Sequence, residues 1–145
     1  MFHDAGDKAK LFTEIPSSFM SHTWGIDPAK FKTDEGLAKM FTMTSTSTDC
    51  IHDSTFVSSM ESPDYPFQGV QFHPEKQIYQ WNDDVGYNHY WDSVMINRYL
   101  ADTFVKQARQ NTNTYGDYET TQKAIIENYD FYVTDSYYGD VYMFN

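Results

Sequence analysis

The sequence has almost no cysteine, since Cys50 is the only one among 145 residues. A lone thiol excludes an internal disulfide framework. N-x-S/T sequons, the acceptors for N-glycosylation, are absent as well. The sequence therefore gives no positive sign of an extracellular protein.

Long apolar runs are also missing. No stretch approaches the roughly 18 consecutive apolar residues that a transmembrane helix needs, so we expect no membrane insertion. Residues 1–10 are polar, include Asp4 and Asp7, and lack the apolar stretch of a secretory signal. We expect either that the protein is not secreted or that its true N-terminus lies upstream of Met1, and the compartment stays unknown.

Positive charge is scarce. Lys and Arg together number 10 against 21 Asp and Glu, which gives a formal net charge of -11 at pH 7. A field of this sign repels DNA, RNA and anionic membrane surfaces, and it disfavours an acidic small molecule at long range. We therefore expect no nucleic-acid partner.

Metal and cofactor motifs are missing too. The five histidines are scattered, and no HExxH, paired CxxC or DxDxDG pattern occurs. No glycine-rich phosphate loop is present either. We expect neither a metal site nor a cofactor.

Aromatic residues, in contrast, make up 18% of the chain, which excludes disorder because disordered chains are poor in them. Periodic apolar residues predict helices over residues 33–41, 90–109 and 122–128. The second helix is the clearest, because Ile96, Leu100 and Phe104 recur at every fourth position. Thr33 is expected to cap the first helix.

Apolar and β-branched residues predict strands over residues 55–60, 67–72, 129–133 and 141–144. The first two strands form a hairpin, because the turn residues Pro63 and Asp64 lie between them. Pro74 cannot donate a ladder hydrogen bond, so the second strand ends by His73. The Ser/Thr-rich residues 42–48 are assigned to no element. The mixture of helices and strands favours an α/β fold, with no convincing domain boundary.

His73 and Glu75 are the candidate catalytic residues. They stand two apart at a strand end, so their side chains project to the same side. A carboxylate beside an imidazole holds one tautomer and stabilises the imidazolium, which is the base half of a nucleophile–His–acid triad. Spacing alone favours a chance surface pair over a catalytic one.

The surrounding residues change that balance. Residues 65–76 read Y-P-F-Q-G-V-Q-F-H-P-E-K, and Tyr79 and Trp81 follow. This run resembles the gamma-glutamyl hydrolase family of class I glutamine-amidotransferase-like cysteine hydrolases, peptidase C26 type. The segment from His22 to Trp24 and residues 104–111 are similar to further parts of that family, so the resemblance covers roughly residue 10 onward.

The resemblance implies a fold, an activity and site residues. The fold is α/β, the C-terminal part of a flavodoxin-like three-layer sandwich, with residues 1–145 as a single incomplete domain. The activity is that of an omega-peptidase that removes gamma-linked glutamate from folylpolyglutamates by Cys-His-Glu chemistry. His73 would be the general base and acid, Glu75 would orient it, and His22 would lie beside the substrate. His22 fits a structural histidine equally well. Family members are usually lysosomal, vacuolar or secreted.

The family's nucleophile has no counterpart in the sequence. Its cysteine sits on a strained strand-to-helix turn of the form G-x-C-x-G. No two of the seven glycines are four apart, so the chain has neither a Cys nor a Ser elbow. We expect Cys50 to be a partly buried, inert thiol rather than half of a dyad with His52. The nucleophile-bearing N-terminal part is expected to be absent from this chain, and the chain alone to be inactive.

Two hypotheses about function stay open. In the first, the chain is a piece of a genuine hydrolase, its partner is the N-terminal half, and folylpolyglutamate is the substrate. In the second, it is a catalytically inactive, hydrolase-derived subunit, and another subunit covers the open sheet, since half of a parallel sheet leaves an unpaired edge and an uncovered face. A glutamine amidotransferase relative is a weaker third, because the residues after Trp81 match the hydrolase better.

Overall fold

The computed structural model describes residues 1–82, 84–134, 139 and 141–144. The chain divides into two compact units, Met1–Gln110 and Asn111–Asn145. Both units contain helices and strands, and this mixture fits the α/β class expected from the sequence. No helix in the described part of the chain is long and apolar enough to cross a membrane.

Five α-helices lie among the described residues of the first unit. They are α1 (Leu11–Glu14, preceded by a 3-10 helix at Gly6–Lys10), α2 (Pro28–Thr33), α3 (Glu35–Met40), α4 (Lys76–Tyr79) and α5 (Trp91–Ala108). The last of these confirms the long helix predicted from its apolar periodicity.

Aspartates, not Thr33, begin the two helices in the middle of the chain. Asp27 caps α2, and its Oδ1 accepts hydrogen bonds from the N–H groups of Ala29 and Lys30 at 2.7 and 3.0 Å. Asp34 caps α3 by accepting from the N–H of Leu37 at 2.9 Å. The prediction that Thr33 is the cap is wrong, because Thr33 ends α2 and its hydroxyl donates back to the carbonyl of Ala29. A carboxylate satisfies the free N–H groups of a first turn, so the acidic neighbour takes the position.

One antiparallel sheet positions the site. Its strands β1 (Thr42–Thr48), β2 (Thr55–Glu61) and β3 (Gln68–Val70) are hydrogen-bonded in that order. The hairpin of β2 and β3 confirms the prediction, with Ser59 opposite Val70. The Ser/Thr-rich tract, assigned to no element from the sequence, is β1. The expected parallel half-sheet is not found among the described strands, whose pairings are all antiparallel.

Buried polar contacts attach helix α5 to the segment that leads into the site. The Nδ2 of Asn97 and the Oγ of Ser93 both donate to the carbonyl of Ser17, at 2.5 and 2.8 Å. The hydroxyl of Ser18 donates to Oδ1 of Asn97 at 3.1 Å. Ser93 and Asn97 are completely buried, beside the equally buried Ile96. Since an unpaired buried polar group is costly, these bonds fix where residues 17–18 lie on the helix.

The second unit is smaller. It contains α6 (Tyr118–Ala124), a 3-10 helix at Ile126–Asn128, and the antiparallel strands β4 (Asp130–Tyr132) and β5 (Val141–Met143). The predicted strands are confirmed, but β4 is exposed along its length rather than half-buried. The predicted helix over residues 122–128 begins earlier, because Asp117 caps α6 by accepting from the N–H of Thr120 at 2.8 Å.

Gly25 lies where the backbone crosses β2 at close range. The carbonyl of Ile26 accepts a hydrogen bond from the N–H of Val57 at 2.8 Å. A Cβ atom added at Gly25 would stand 2.8 Å from the Cβ of Phe56, closer than such atoms approach in proteins. The Cβ of Phe56 is fixed to the strand backbone, so relief requires the two segments to move apart.

We therefore expect Gly25→Ala to lower the free energy of unfolding by about 1–3 kcal/mol, the usual cost of overpacking. Urea denaturation followed by circular dichroism measures this. Gly86→Ala is the matched control, because a Cβ there meets nothing within 4 Å. Equal urea midpoints for Gly25→Ala and the parent protein would contradict the close approach.

The pKa of Asp27 lies below its ordinary value, because the carboxylate accepts the N–H groups of Lys30 and Ala29. A carboxyl group with a lowered folded-state pKa adds stability above its unfolded pKa of roughly 3.9, and this is lost as pH falls through the folded pKa. Asp27→Asn keeps a capping oxygen but cannot ionise. The parent protein should therefore exceed Asp27→Asn in urea midpoint by more at about pH 6 than at about pH 3.

Asp64→Asn is the control for that comparison, because Asp64 is exposed, lies between β2 and β3, and caps no described helix. It measures how the loss of one surface carboxylate that caps no helix changes the urea midpoint. A pH-independent difference for Asp27→Asn would show that the cap does not favour the ionised form.

Candidate active site

The structure places the side chains of His73 and Glu75 against each other. The Nδ1 atom of His73 lies 3.0 Å from Oε1 of Glu75, and the two side chains are 41% and 52% exposed. With Nδ1 donating to the carboxylate, the unprotonated nitrogen of the neutral ring is Nε2. Nε2 makes no hydrogen bond to any residue that the structure describes. An imidazole in this state can accept a proton from a group that approaches from outside.

The local sequence explains why this pair reaches the surface. Beyond β3, the N–H of Gln71 still bonds to the carbonyl of Ser58 at 2.9 Å. Phe72 then turns inward, is buried, and lies 5.7 Å from Phe12 between ring centroids. His73 is the next residue and therefore points away from this core, while Pro74 stops the ladder.

The backbone of His73 is fixed by a residue that sequence reasoning missed. Its N–H donates to the carbonyl of Phe19 at 2.9 Å. The side chain of Gln77 is 1% exposed, and with its amide oriented to satisfy both atoms it donates to the carbonyl of His73 at 3.0 Å and accepts from the N–H of Phe19. Gln77 thus joins both segments. The only signal in the sequence is a polar residue between Lys76 and Ile78, and burial of that residue depends on the distant Phe19.

Aromatic rings surround this backbone link. The ring of Phe19 meets the edge of Tyr87 at 4.8 Å and lies 6.2 Å from the ring of His73. His89 bonds through Nδ1 to the backbone carbonyl of Gln77 at 2.9 Å. Its ring stacks on Trp81 at 3.7 Å with an interplanar angle of 4°. Since the rings of Tyr87 and His89 lie 6.3 Å apart, these side chains form one aromatic cluster that reaches His73 through Phe19.

His22, the predicted substrate-binding residue, contacts Trp24 and Phe56 rather than the His73–Glu75 pair. Its Nδ1 is 3.1 Å from the carbonyl of Trp24, and its ring meets Phe56 edge-on at 4.8 Å. The side chain is exposed. No hydrogen bond or ring contact among the described residues joins it to His73 or Glu75. Its role at a substrate stays a prediction.

Cys50 is exposed, so the prediction of a partly buried thiol is wrong. It lies in the turn between β1 and β2, where no core is within reach. Asp49 organises this turn by accepting from the N–H of Ile51 at 2.9 Å and by bonding Nδ1 of His52 at 2.7 Å. These contacts lower the pKa of Asp49, the backbone N–H of Ile51 most of all. His52 is thus engaged by Asp49 rather than by Cys50.

The side chains that could ligate a metal ion do not cluster where the structure describes them. Within the described ranges, no three His, Cys, Asp or Glu side chains come together as ligands for an ion.

Comparison with curated proteins gives one consistent set of relatives. The chain is 37% identical over 105 residues to "Gamma-glutamyl hydrolase" of Homo sapiens, covering 72% of the chain and 32% of that protein. It is 38% identical over 109 residues to the Bos taurus protein of the same name, covering 74% and 33%. It is 28% identical over 132 residues to "Gamma-glutamyl hydrolase B" of Dictyostelium discoideum, covering 90% and 38%. No family profile matches the chain.

The chain thus spans 32% to 38% of the length of these relatives. Similarity reaches across most of this chain but leaves the larger part of each relative without a counterpart in it.

Replacement of Gln77 tests the link between the two segments. Gln77→Leu keeps the approximate volume but leaves the carbonyl of His73 and the N–H of Phe19 without a partner. We expect unfolding to become easier by about 1–3 kcal/mol, the cost of unsatisfied buried groups. The amide proton of His73 should also exchange faster with solvent, as measured by hydrogen–deuterium exchange.

Gln80→Leu is the matched control. The Oε1 of Gln80 accepts only from the exposed hydroxyl of Tyr87, at 3.2 Å. Its effect on unfolding should stay within about 0.5 kcal/mol. Equal stability losses for the two variants would show that the Gln77 side chain does not link His73 to Phe19.

Proposed function

This chain belongs to the gamma-glutamyl hydrolase family, and from that premise we propose that it carries the histidine half of a cysteine-dependent gamma-glutamyl hydrolase site. The 3.0 Å contact between Nδ1 of His73 and Oε1 of Glu75 supports this proposal most directly. The enzyme formed is an omega-peptidase that removes gamma-linked glutamate from folylpolyglutamates. The nucleophilic cysteine belongs to polypeptide outside these residues.

His73 transfers protons at Nε2. It takes the proton of the cysteine thiol, and the thiolate attacks the carbonyl carbon of the gamma-glutamyl amide. Glu75 holds the ring orientation and stabilises the imidazolium that forms. The imidazolium then gives its proton to the leaving amine. A water molecule, deprotonated in turn by Nε2, hydrolyses the acyl-enzyme and restores the thiol. Positioned acid–base catalysis of this kind contributes about 10²- to 10⁴-fold in rate.

The same proposal says how this chain relates to the complete domain. Residues 1–145 form the C-terminal part of an incomplete three-layer domain, and the complementary part supplies the cysteine elbow. The sheet supports this, because β1 and β3 are its two outer strands and unpaired edges are normally covered. His22 contacts the substrate. Its Nδ1 donates to the carbonyl of Trp24, so Nε2 of the neutral ring is left to accept a hydrogen bond from an N–H group of the substrate.

A second candidate function is that of an inactive, hydrolase-derived subunit. The exposed aromatic side chains favour it, since such residues are enriched at protein interfaces. Those of the first unit include Trp24, Tyr79, Trp81, Tyr90 and Trp91. A role of this kind needs no nucleophile and fits the lack of a cysteine elbow in the sequence.

A chimera distinguishes the two. The segment of the human relative that matches this chain is replaced by the chain itself, and glutamate release from a gamma-glutamyl peptide is measured. We expect activity in the folded chimera. His73→Ala should abolish it, and Glu75→Gln should lower kcat/KM by about 10²- to 10⁴-fold.

His52→Ala is the control, because His52 also pairs with an aspartate but lies in the β1–β2 turn. It should leave activity unchanged. A folded chimera that releases no glutamate would favour the inactive subunit. Activity that survives His73→Ala would overturn the assignment of the base.

A further inference from the structure

A cavity of about 360 Å³ lies in the first unit, beside β1 and residues 15–18. Three phenylalanines form part of its wall. The ring of Phe12 lies 5.3 Å from that of Phe2 and 5.7 Å from that of Phe72, measured between centroids. The volume falls within the roughly 300–1,000 Å³ typical of small-molecule sites.

Much of the remaining wall consists of hydroxyl side chains, and no charged residue lines the cavity. Ser17 and Ser58 are 3% and 4% exposed, and both line it. Neither side-chain hydroxyl hydrogen-bonds to a described residue, although the carbonyl of Ser17 is engaged by Asn97. Among the described residues, Ser62 alone has a fully enclosed hydroxyl without a partner, so the hydroxyls of Ser17 and Ser58 are reached from the cavity. Both can therefore hydrogen-bond to a molecule that enters it.

We propose that this cavity binds a small, neutral, planar molecule with a hydrogen-bonding group at one end. The phenylalanine rings offer flat apolar contact, and a serine hydroxyl can donate or accept. A charged group would lose its hydration here and find no opposite charge in the wall. The ligand class is therefore a substituted aromatic ring without a carboxylate, phosphate or ammonium.

The cavity is separate from the His73–Glu75 pair. Phe72, the neighbour of His73, lines it, but His73, Glu75 and His22 do not. The uncharged wall also makes it unsuited to a chain of glutamates. Binding here does not depend on the proposed hydrolase activity, and an inactive chain would bind equally well.

Benzamide and benzoate test the proposal, because they share one shape and differ in charge. Each is titrated into the ¹⁵N-labelled full chain and followed by heteronuclear NMR. Benzamide should shift the amide signals of Ser58, Phe72 and Thr46 in a saturable way, with a dissociation constant on the order of 1 mM. Benzoate should bind at least about tenfold more weakly.

Variants then locate the binding. Ala9→Phe places a ring in the cavity, which Ala9 lines, and should abolish the saturable shifts. Ala101→Phe, on the exposed face of α5, should leave them unchanged. Ser58→Ala should weaken benzamide binding by about three- to tenfold, the loss of one hydrogen bond.

Several outcomes would overturn the proposal. They are equal affinities for benzamide and benzoate, saturable shifts that persist in Ala9→Phe, and shifts that map away from the cavity. An absence of saturation at about ten times the expected dissociation constant would do the same. Should Ala9→Phe fail to fold, Ser58→Ala decides, and an unchanged affinity in that variant counts against the site.

Discussion

The short segment at residues 17–19 is the constraint through which the site is held to the rest of the unit. Its Ser17 carbonyl receives hydrogen bonds from Ser93 and Asn97 on the buried face of α5. Two residues later, the backbone of Phe19 pairs with His73. The long helix, the sheet edge and the histidine therefore share one extended strip of backbone. Because the two bonds to the Ser17 carbonyl are buried, a shift of α5 would leave that polar group unpaired.

This arrangement fixes the backbone of His73 and leaves its ring accessible. Nδ1 is hydrogen-bonded to Glu75, whereas Nε2 makes no hydrogen bond to a described residue. A general base needs this division, with one nitrogen anchored and the other open to the reacting group. A general base acts only where a nucleophile is present to lose a proton. The only thiol in the sequence, Cys50, is exposed in the β1–β2 turn, where the neighbouring His52 is already engaged by Asp49. Membership of the family and catalytic activity are therefore separate statements for this chain.

The surface of the first unit carries two different environments. The exposed aromatic residues near α4 and the start of α5 lie on an acidic chain, whose net charge is -11. The cavity beside β1, in contrast, has an uncharged wall of phenyl rings and hydroxyl groups. Binding to the exposed aromatic surface depends on the long-range charge of the chain. Binding in the cavity depends on shape and hydrogen bonding at short range. The acidity of the chain thus says little about what enters the cavity.

Features that arise from near neighbours along the chain could be predicted from the residues alone. These are the hairpin of β2 and β3, helix α5 with its apolar repeat, and the contact of His73 with Glu75 across Pro74. Three features became visible only in the fold: the Ser/Thr tract is a strand, Gln77 is buried, and Cys50 is exposed. Strand β1 exists because it pairs with β2, and Gln77 is buried because Phe19, far away in sequence, lies over it. Burial and pairing depend on partners distant along the chain, and a local pattern does not contain them.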